Sequence, residues 1–146
     1  MNKQKIISYT FKNNINELNF FVNETNFDAF NRLINLESRF TFLYGPKKSG
    51  KSFLAHIWKN KYNANNLSNN FEDLIKKKEN ILIDDLHSFN QEIIFHLVNY
   101  CTLNNLKILI TSRYKINDIN FKFNDLPSRL KTFSLLEINN PDDEMI

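Results

Sequence analysis

Gly45-Pro46-Lys47-Lys48-Ser49-Gly50-Lys51-Ser52 is the stretch on which the reading of this chain turns. Its pattern, G-x-x-x-x-G-K-[ST], belongs to a loop that folds its backbone N–H groups around a phosphate. Turning those groups inward calls for positive φ angles, which glycine takes without steric penalty. Lys51 is placed to reach the outer phosphates. Ser52 is placed to coordinate Mg2+ and to open a helix whose N-terminus favours negative charge. The sequence holds two glycines in total, and both lie in this loop. Glycine averages about 7% of residues, so a chain that avoids it elsewhere has kept it where a phosphate loop needs it. A coincidental turn is the competing reading, and the flanks argue against it.

Those flanks set the fold class. Residues 39–44 form a short β-rich run ending at the first glycine, and 52–61 reads as a helix. A weak strand is expected near 62–64 and a short helix near 71–78. Ile81, Leu82 and Ile83 form a continuous apolar run, as a parallel strand buried on both faces requires. Asn90 opens another helix, with Ile93, Ile94, Leu97, Val98 and Cys101 on its apolar side. Residues 107–111 are a third apolar strand. Before the loop, Phe27, Phe30, Leu33 and Ile34 mark an amphipathic helix over 26–36. Residues 6–11 and 135–138 are further short strands, 117–134 is loop-rich, and Pro141 with the acids after it resembles a first helical turn. Strands alternating with helices predict an α/β fold: a parallel sheet flanked by helices, in three layers.

The second half of a nucleotide site is legible on the strand at 81–83, which ends in Asp84 and Asp85. Asp84 is placed to hold Mg2+ through water. Asp85 sits where a Glu usually polarises the attacking water, and its shorter side chain implies slow hydrolysis. A strand closing in a polar turn is the bland alternative. Thr111 and Ser112, at the tip of the third strand, read either as hydroxyls that sense the γ-phosphate or as an ST-turn.

Composition bounds the rest. The length of 146 residues suits one domain with a core. A net charge of +3 does not by itself argue for nucleic acid. Lys76, Lys77 and Lys78 neighbour Glu72, Asp73 and Glu79, so they read as a solvated helix end. The abundant Asn, Lys and Ile read as drift toward A·T-rich codons. The one cysteine, Cys101, excludes an internal disulfide and reads as buried and structural. No apolar stretch has signal-peptide or membrane-spanning length, which predicts a cytoplasmic protein without membrane contact.

Four stretches carry a family resemblance. Phe20-Phe21-Val22-Asn23-Glu24-Thr25-Asn26 is similar to an F-V-x-x-x-S-N segment. The phosphate loop continues into Phe53-Leu54-Ala55-His56. Ile81 to Asp85, followed by Ile94 to Asn99, is similar to an I-D-D … F-F-H-x-x-N run. Ile108 to Ser112 leads to Asp125-Leu126-Pro127-Ser128-Arg129-Leu130, similar to a D-L-x-S-R-L box. The sequence thereby resembles the DnaA/Hda family of AAA+ P-loop ATPases, and is closest to the Hda-type regulatory inactivator of the alphaproteobacterial style. The resemblance implies an AAA+ base domain over residues 19–140. It implies that Phe21, Val22 and Asn26 lie near the base of bound ATP or ADP, with Phe53 beside the phosphate loop. It also implies that Arg129 reaches across a subunit interface to a neighbour's nucleotide, where a guanidinium stabilises charge on the transferred phosphoryl group. An intrachain salt bridge is the alternative for Arg129.

The chain departs from the family pattern in ways that carry expectations. It stops at Ile146, so residues 141–146 read as the start of a truncated or missing lid, and the lid arginine is not expected. No DNA-binding helix-turn-helix follows, and the segment between Lys61 and Asn80 is short, which favours Hda over DnaA. Residues 1–18 are expected to carry a peptide that docks on the sliding clamp through Gln4, Ile7 and Tyr9, or else a plain edge strand. The implied partners are DnaA, the DNA polymerase sliding clamp and further copies of the chain in a homo-oligomer, with DNA met only indirectly. The implied role is promotion of ATP hydrolysis by DnaA, with at most weak ATPase activity of its own. Competing readings are a helicase-loader-like, ATP-dependent DNA-binding factor and a metabolic kinase built on the same loop.

Overall fold

A computed structural model describes residues 24–35, 38–68 and 70–139. Helix α1 (Glu24–Asn35) precedes strand β1 (Phe40–Tyr44) and helix α2 (Lys51–Tyr62). Strand β2 (Asn65–Asn66), helix α3 (Phe71–Lys77), strand β3 (Ile81–Ile83) and helix α4 (Gln91–Leu103) follow. Strand β4 (Ile108–Ser112), the short helix α5 (Asp125–Leu130) and strand β5 (Ser134–Glu137) complete the described chain, with 3-10 turns at Leu86–Ser88 and Ile116–Asp118. The five strands form one sheet in the order β2-β3-β4-β1-β5. Every neighbouring pair is parallel.

Side chains alternate across a strand, and here the alternation divides two cores. Phe42, Ile81, Ile83, Ile108 and Ile110 face one side, where they pack with Leu97, Val98 and Cys101 of α4 and with Leu126 and Leu130 of α5. Leu43, Leu82, Leu109 and Leu136 face the other, with Phe30, Leu33 and Ile34 of α1 and Leu54 and Trp58 of α2. A sheet covered on both faces needs strands apolar at every position, and β3 and β4 are buried at every position. Burying one such Leu or Ile side chain contributes about 1.5–3 kcal/mol. The predicted α/β three-layer fold is therefore the observed one.

Two local expectations shift. The strand expected at 62–64 lies at 65–66, because α2 runs on to Tyr62. Asn63 then closes that helix in the left-handed conformation (φ 51°), and the Ala64 N–H bonds Lys59 O at 3.0 Å, so the chain turns before it can pair. The segment 117–134 is loop-rich as expected, and it also holds α5 and part of a 3-10 turn. Pro127 is the third residue of α5, where its missing N–H costs no helical bond. Asn90 caps α4 as expected, its side-chain oxygen accepting the Glu92 and Ile93 N–H groups at 2.8 and 3.2 Å. Cys101 is buried, and burial pushes its thiol up to about 12, which leaves it inert. No helix among the described residues is long and apolar enough to cross a membrane. The expected strand at 6–11, the clamp peptide and the helical turn at 141 lie outside the described residues.

Candidate nucleotide-phosphate site

The C-terminal ends of β1, β3 and β4 meet along one edge of the sheet, and the candidate site stands there. Parallel pairing places Tyr44 beside Ser112, and the Gly45 N–H donates to Ser112 O at 3.1 Å. The 45–52 loop thus leaves the sheet next to the tip of β4. Within the loop the Ser49 N–H donates to Pro46 O at 3.2 Å, and Lys48 (φ 64°) and Gly50 (φ 96°) take left-handed backbone. Lys51 then opens α2.

The two glycines serve different ends. Gly50 alone has the positive φ that motivates glycine in this pattern. At Gly45 the demand is space: a Cβ there would stand 2.3 Å from the backbone oxygen of Ile138. The chain leaving β5 presses against the start of the loop, and only glycine allows that approach.

Lys51 is half-buried and folds back over the loop, donating from Nζ to Gly45 O at 2.7 Å and Pro46 O at 2.8 Å. Burial holds its pKa below the ordinary lysine value, the Arg113 guanidinium adds to that depression, and Asp84 and Asp85 oppose it. Ser52 Oγ and Asp84 Oδ1 face each other at 3.5 Å, the outer limit of a hydrogen bond. A hydroxyl and a carboxylate so placed suit a small hard cation that draws its other ligands from phosphate and water. Among the described residues no group of three His, Cys, Asp or Glu could hold a metal by itself.

Thr111 organises the acids. Its hydroxyl donates to Asp84 Oδ1 at 2.7 Å and accepts the Asp85 N–H at 2.8 Å. Only 1% of Thr111 is exposed, so the hydroxyl serves these two partners inside the protein. Ser112 forms the ST-turn instead, its Oγ accepting the Tyr114 N–H at 3.0 Å and donating to Tyr114 O at 2.8 Å. Asp85 sits at φ 79°, ψ 94°, an uncommon backbone for a residue with a Cβ. Its carboxylate accepts the His87 N–H at 3.1 Å and the Ser88 hydroxyl at 2.9 Å, so it caps its own 3-10 turn.

The remaining candidates fall elsewhere. Pro46, Lys47 and Lys48 are exposed on the loop. Ser49 is fully buried, with no hydrogen-bond partner for its hydroxyl among the described residues. Phe53 is half-buried against the core beneath α2. Arg129 is exposed on the last turn of α5, its guanidinium 5.6 Å from the ring centre of Phe95 on α4. Among the described residues its partner is thus a ring rather than an acid. Asn26 lies in α1, but its side chain, like Phe21, Val22, Gln4, Ile7 and Tyr9, is outside the described residues. Arg113 is exposed and follows the strand tip directly.

No family model matches the sequence, and no curated protein matches it. Solved structures do share the fold. Domain III of the replication initiation protein DnaA from Thermotoga maritima aligns with a TM-score of 0.73 at 21% identity, over 88% of this chain and 68% of that one. AMPPCP-bound DnaA from Aquifex aeolicus aligns at 0.68 and 22% identity, over 84% of this chain and 49% of that one. A candidate primosome component from Streptococcus pyogenes serotype M3 aligns at 0.59 and 20% identity, over 82% of this chain and 81% of that one. The chain therefore spans about half the length of the Aquifex structure it matches. At these identities the likeness is one of fold.

Proposed function

We propose that this chain binds ATP or ADP with Mg2+ at the 45–52 loop and acts as a regulatory module of DNA replication initiation. In this reading it is Hda-like: its nucleotide shapes the domain, and Arg129 is offered to ATP held by DnaA, whose hydrolysis it promotes. The observation that carries the proposal is the convergence of Lys51, Ser52 and Asp84 on one sheet edge. Lys51 would exchange loop carbonyls for phosphate oxygens, which sets its charged donor against an anionic acceptor instead of a neutral one. Ser52 and Asp84 would hold Mg2+, which neutralises charge between the outer phosphates. Thr111 keeps Asp84 aimed at Ser52. The Asp85 carboxylate is occupied by its own turn, which supports weak hydrolysis in this chain. Arg129 stands on a separate helix and is exposed, which suits action on a neighbour. Gln4, Ile7 and Tyr9 would bind the sliding clamp as an extended peptide.

Likeness to the Streptococcus primosome component supports a second reading, a helicase-loader-like factor that binds DNA itself. Calorimetry of the protein and a Lys51→Ala variant with ADP tests the site, with an expected affinity loss of about tenfold or more. Negligible affinity in both proteins would overturn it. Hydrolysis by DnaA, measured with clamp-loaded DNA and this protein, tests the role: Arg129→Ala should abolish the stimulation, and unchanged stimulation would remove Arg129 from it. Salt-dependent binding of single-stranded DNA without DnaA would favour the loader reading.

A further inference from the structure

A net charge of +3 says little until its distribution is known. In a parallel sheet every strand starts at the same edge, and here that edge lies opposite the candidate site. A cation stands within three residues of the start of four strands: Arg39 before β1, Lys78 before β3, Lys107 before β4 and Lys131 before β5. In the chain these residues are far apart. Sheet order makes them neighbours, running Lys78, Lys107, Arg39, Lys131 along β3, β4, β1 and β5. Strands lie about 4.7–4.9 Å apart, so the row spans about 14 Å. Pairing draws its middle tight: Phe40 sits beside Ile108, and the Ile108 N–H donates to Arg39 O at 2.8 Å. Asp84 and Asp85, which end β3, stand at the other edge, with Glu92 and Asp125 in the first turns of α4 and α5.

Helix C-termini reach the same edge, where a cation serves as a cap. Two of the cations are spent in that way. Arg39 Nη2 donates to Cys101 O at 2.8 Å and Thr102 O at 3.4 Å at the end of α4. Lys61 Nζ donates to Ile34 O at the end of α1. Lys78, Lys107 and Lys131 differ: among the described residues their ammonium groups form no hydrogen bond and no ion pair. Lys107 Nζ lies 4.8 Å and Lys61 Nζ 5.4 Å from the centre of one ring, that of Tyr62. Asn80 fixes this arrangement, its Oδ1 accepting the Lys107 N–H at 2.7 Å and its Nδ2 donating to Tyr62 O at 2.8 Å. Burial holds the Lys61 pKa below the ordinary lysine value, and Lys107 adds to that depression. Two ammonium groups are thus crowded over one ring, and no acid among the described residues relieves them. Glu79, exposed beside Lys78, offsets part of that lysine's charge.

We infer that this edge binds the phosphate backbone of double-stranded DNA through the row Lys78, Lys107, Arg39 and Lys131, with Lys61 beside it. The inference stands apart from the nucleotide reading, because none of these residues belongs to the 45–52 loop or to its acids. A duplex carries one negative charge about every 1.7 Å of its axis, so a row of about 14 Å faces roughly eight phosphates. Cations set by rigid strands suit a duplex, whose phosphates are regularly spaced. Single strands are gripped by stacking on exposed rings. Among the described residues the rings at this edge are taken: Tyr62 lies under two lysines, and Phe40 stacks on Phe133 at 5.3 Å between centroids. The contact is therefore one to the backbone and reads no sequence.

The test is fluorescence anisotropy of a labelled duplex of about 20 base pairs, titrated with the full chain, without nucleotide, at roughly 50 to 200 mM salt. With about four phosphates neutralised, affinity should fall about 100-fold across that range, a log–log slope of about −3.6. Lys78→Gln combined with Lys107→Gln should flatten the slope by about 1.8 and weaken binding alike for duplexes of different sequence. Neither lysine holds a side-chain hydrogen bond among the described residues, so the double variant should melt as the parent does. An unchanged slope in that variant would overturn the inference. Displacement of the duplex by ADP would move the contact to the 45–52 loop and overturn it as well. Preference for the single strand over the duplex would overturn it in favour of the loader reading. No duplex binding by the parent at the lowest salt would also overturn it, and binding of poly-glutamate in its place would give the face to an acidic protein.

Discussion

Replacing Thr111 with valine should destabilise the protein by about 2–4 kcal/mol. Valine keeps the branched shape and exchanges the hydroxyl for a methyl. Two bonds go with it: the one to Asp84 Oδ1 at 2.7 Å and the one from the Asp85 N–H at 2.8 Å. A bond to a charged group contributes about 1.5–3 kcal/mol, and leaving a polar group unsatisfied costs about 1–3 kcal/mol. Asp84 is only half-buried and recovers part of its loss from water. The new methyl, buried where only 1% of the residue is exposed, returns about 0.8 kcal/mol. Asp85 adds to the cost, because its left-handed backbone is held partly by this bond. The assay is urea unfolding with the slope of the transition unchanged, paired with a thermal melt. For a chain of this size about 2–4 kcal/mol corresponds to a fall of roughly 6–12 °C. Thr111→Ser keeps the hydroxyl and should stay within about 1 kcal/mol of the parent. A valine variant within about 0.5 kcal/mol of the parent, or a serine variant as damaged as the valine one, would refute the bridging role.

Gly45→Ala should cost about 1–3 kcal/mol in urea unfolding, because its Cβ would stand 2.3 Å from Ile138 O and force the end of β5 away; an alanine variant as stable as the parent would show that this contact gives way freely. Lys51 should take up a proton when a polyphosphate binds in alkaline buffer just below 10.5, since its pKa is depressed in the free protein and a phosphate favours the charged form. Binding heats that are identical in two buffers of different ionisation enthalpy would mean that Lys51 does not meet the phosphate. The same depression makes the unfolded chain hold this proton more tightly, so the Lys51 contribution to folding stability rises as pH rises from the depressed value toward 10.5.

Much of the architecture was legible because its signals are local. The apolar runs at 81–83 and 107–111 sit on strands covered on both faces, and Asn90 caps the helix it was expected to open. The misplacement at 62–64 has a local cause too: α2 runs on to Tyr62 and an Asn in left-handed backbone stops it there, and nothing in the apolar pattern marks that. The helix at 125–130 was masked by Pro127, which reads as a breaker unless its position in the first turn is known.

The sequence by itself determined that a G-x-x-x-x-G-K-[ST] loop follows a strand, that a second strand ends in two acids, and that the sheet is parallel and covered on both sides. Each of these is written in neighbouring residues, by residue type or by period. The order of strands is not, because it depends on which apolar faces pack together across the whole domain. Only that order sets β4 between β1 and β3. It brings Thr111 against Asp84, Ser52 to within 3.5 Å of Asp84, and Arg113 beside the loop. The tertiary structure also assigned separate reasons to the two glycines. Gly50 answers to a backbone angle, a local demand. Gly45 answers to the carbonyl of Ile138, more than ninety residues away in the chain and in contact only because β5 lies next to β1.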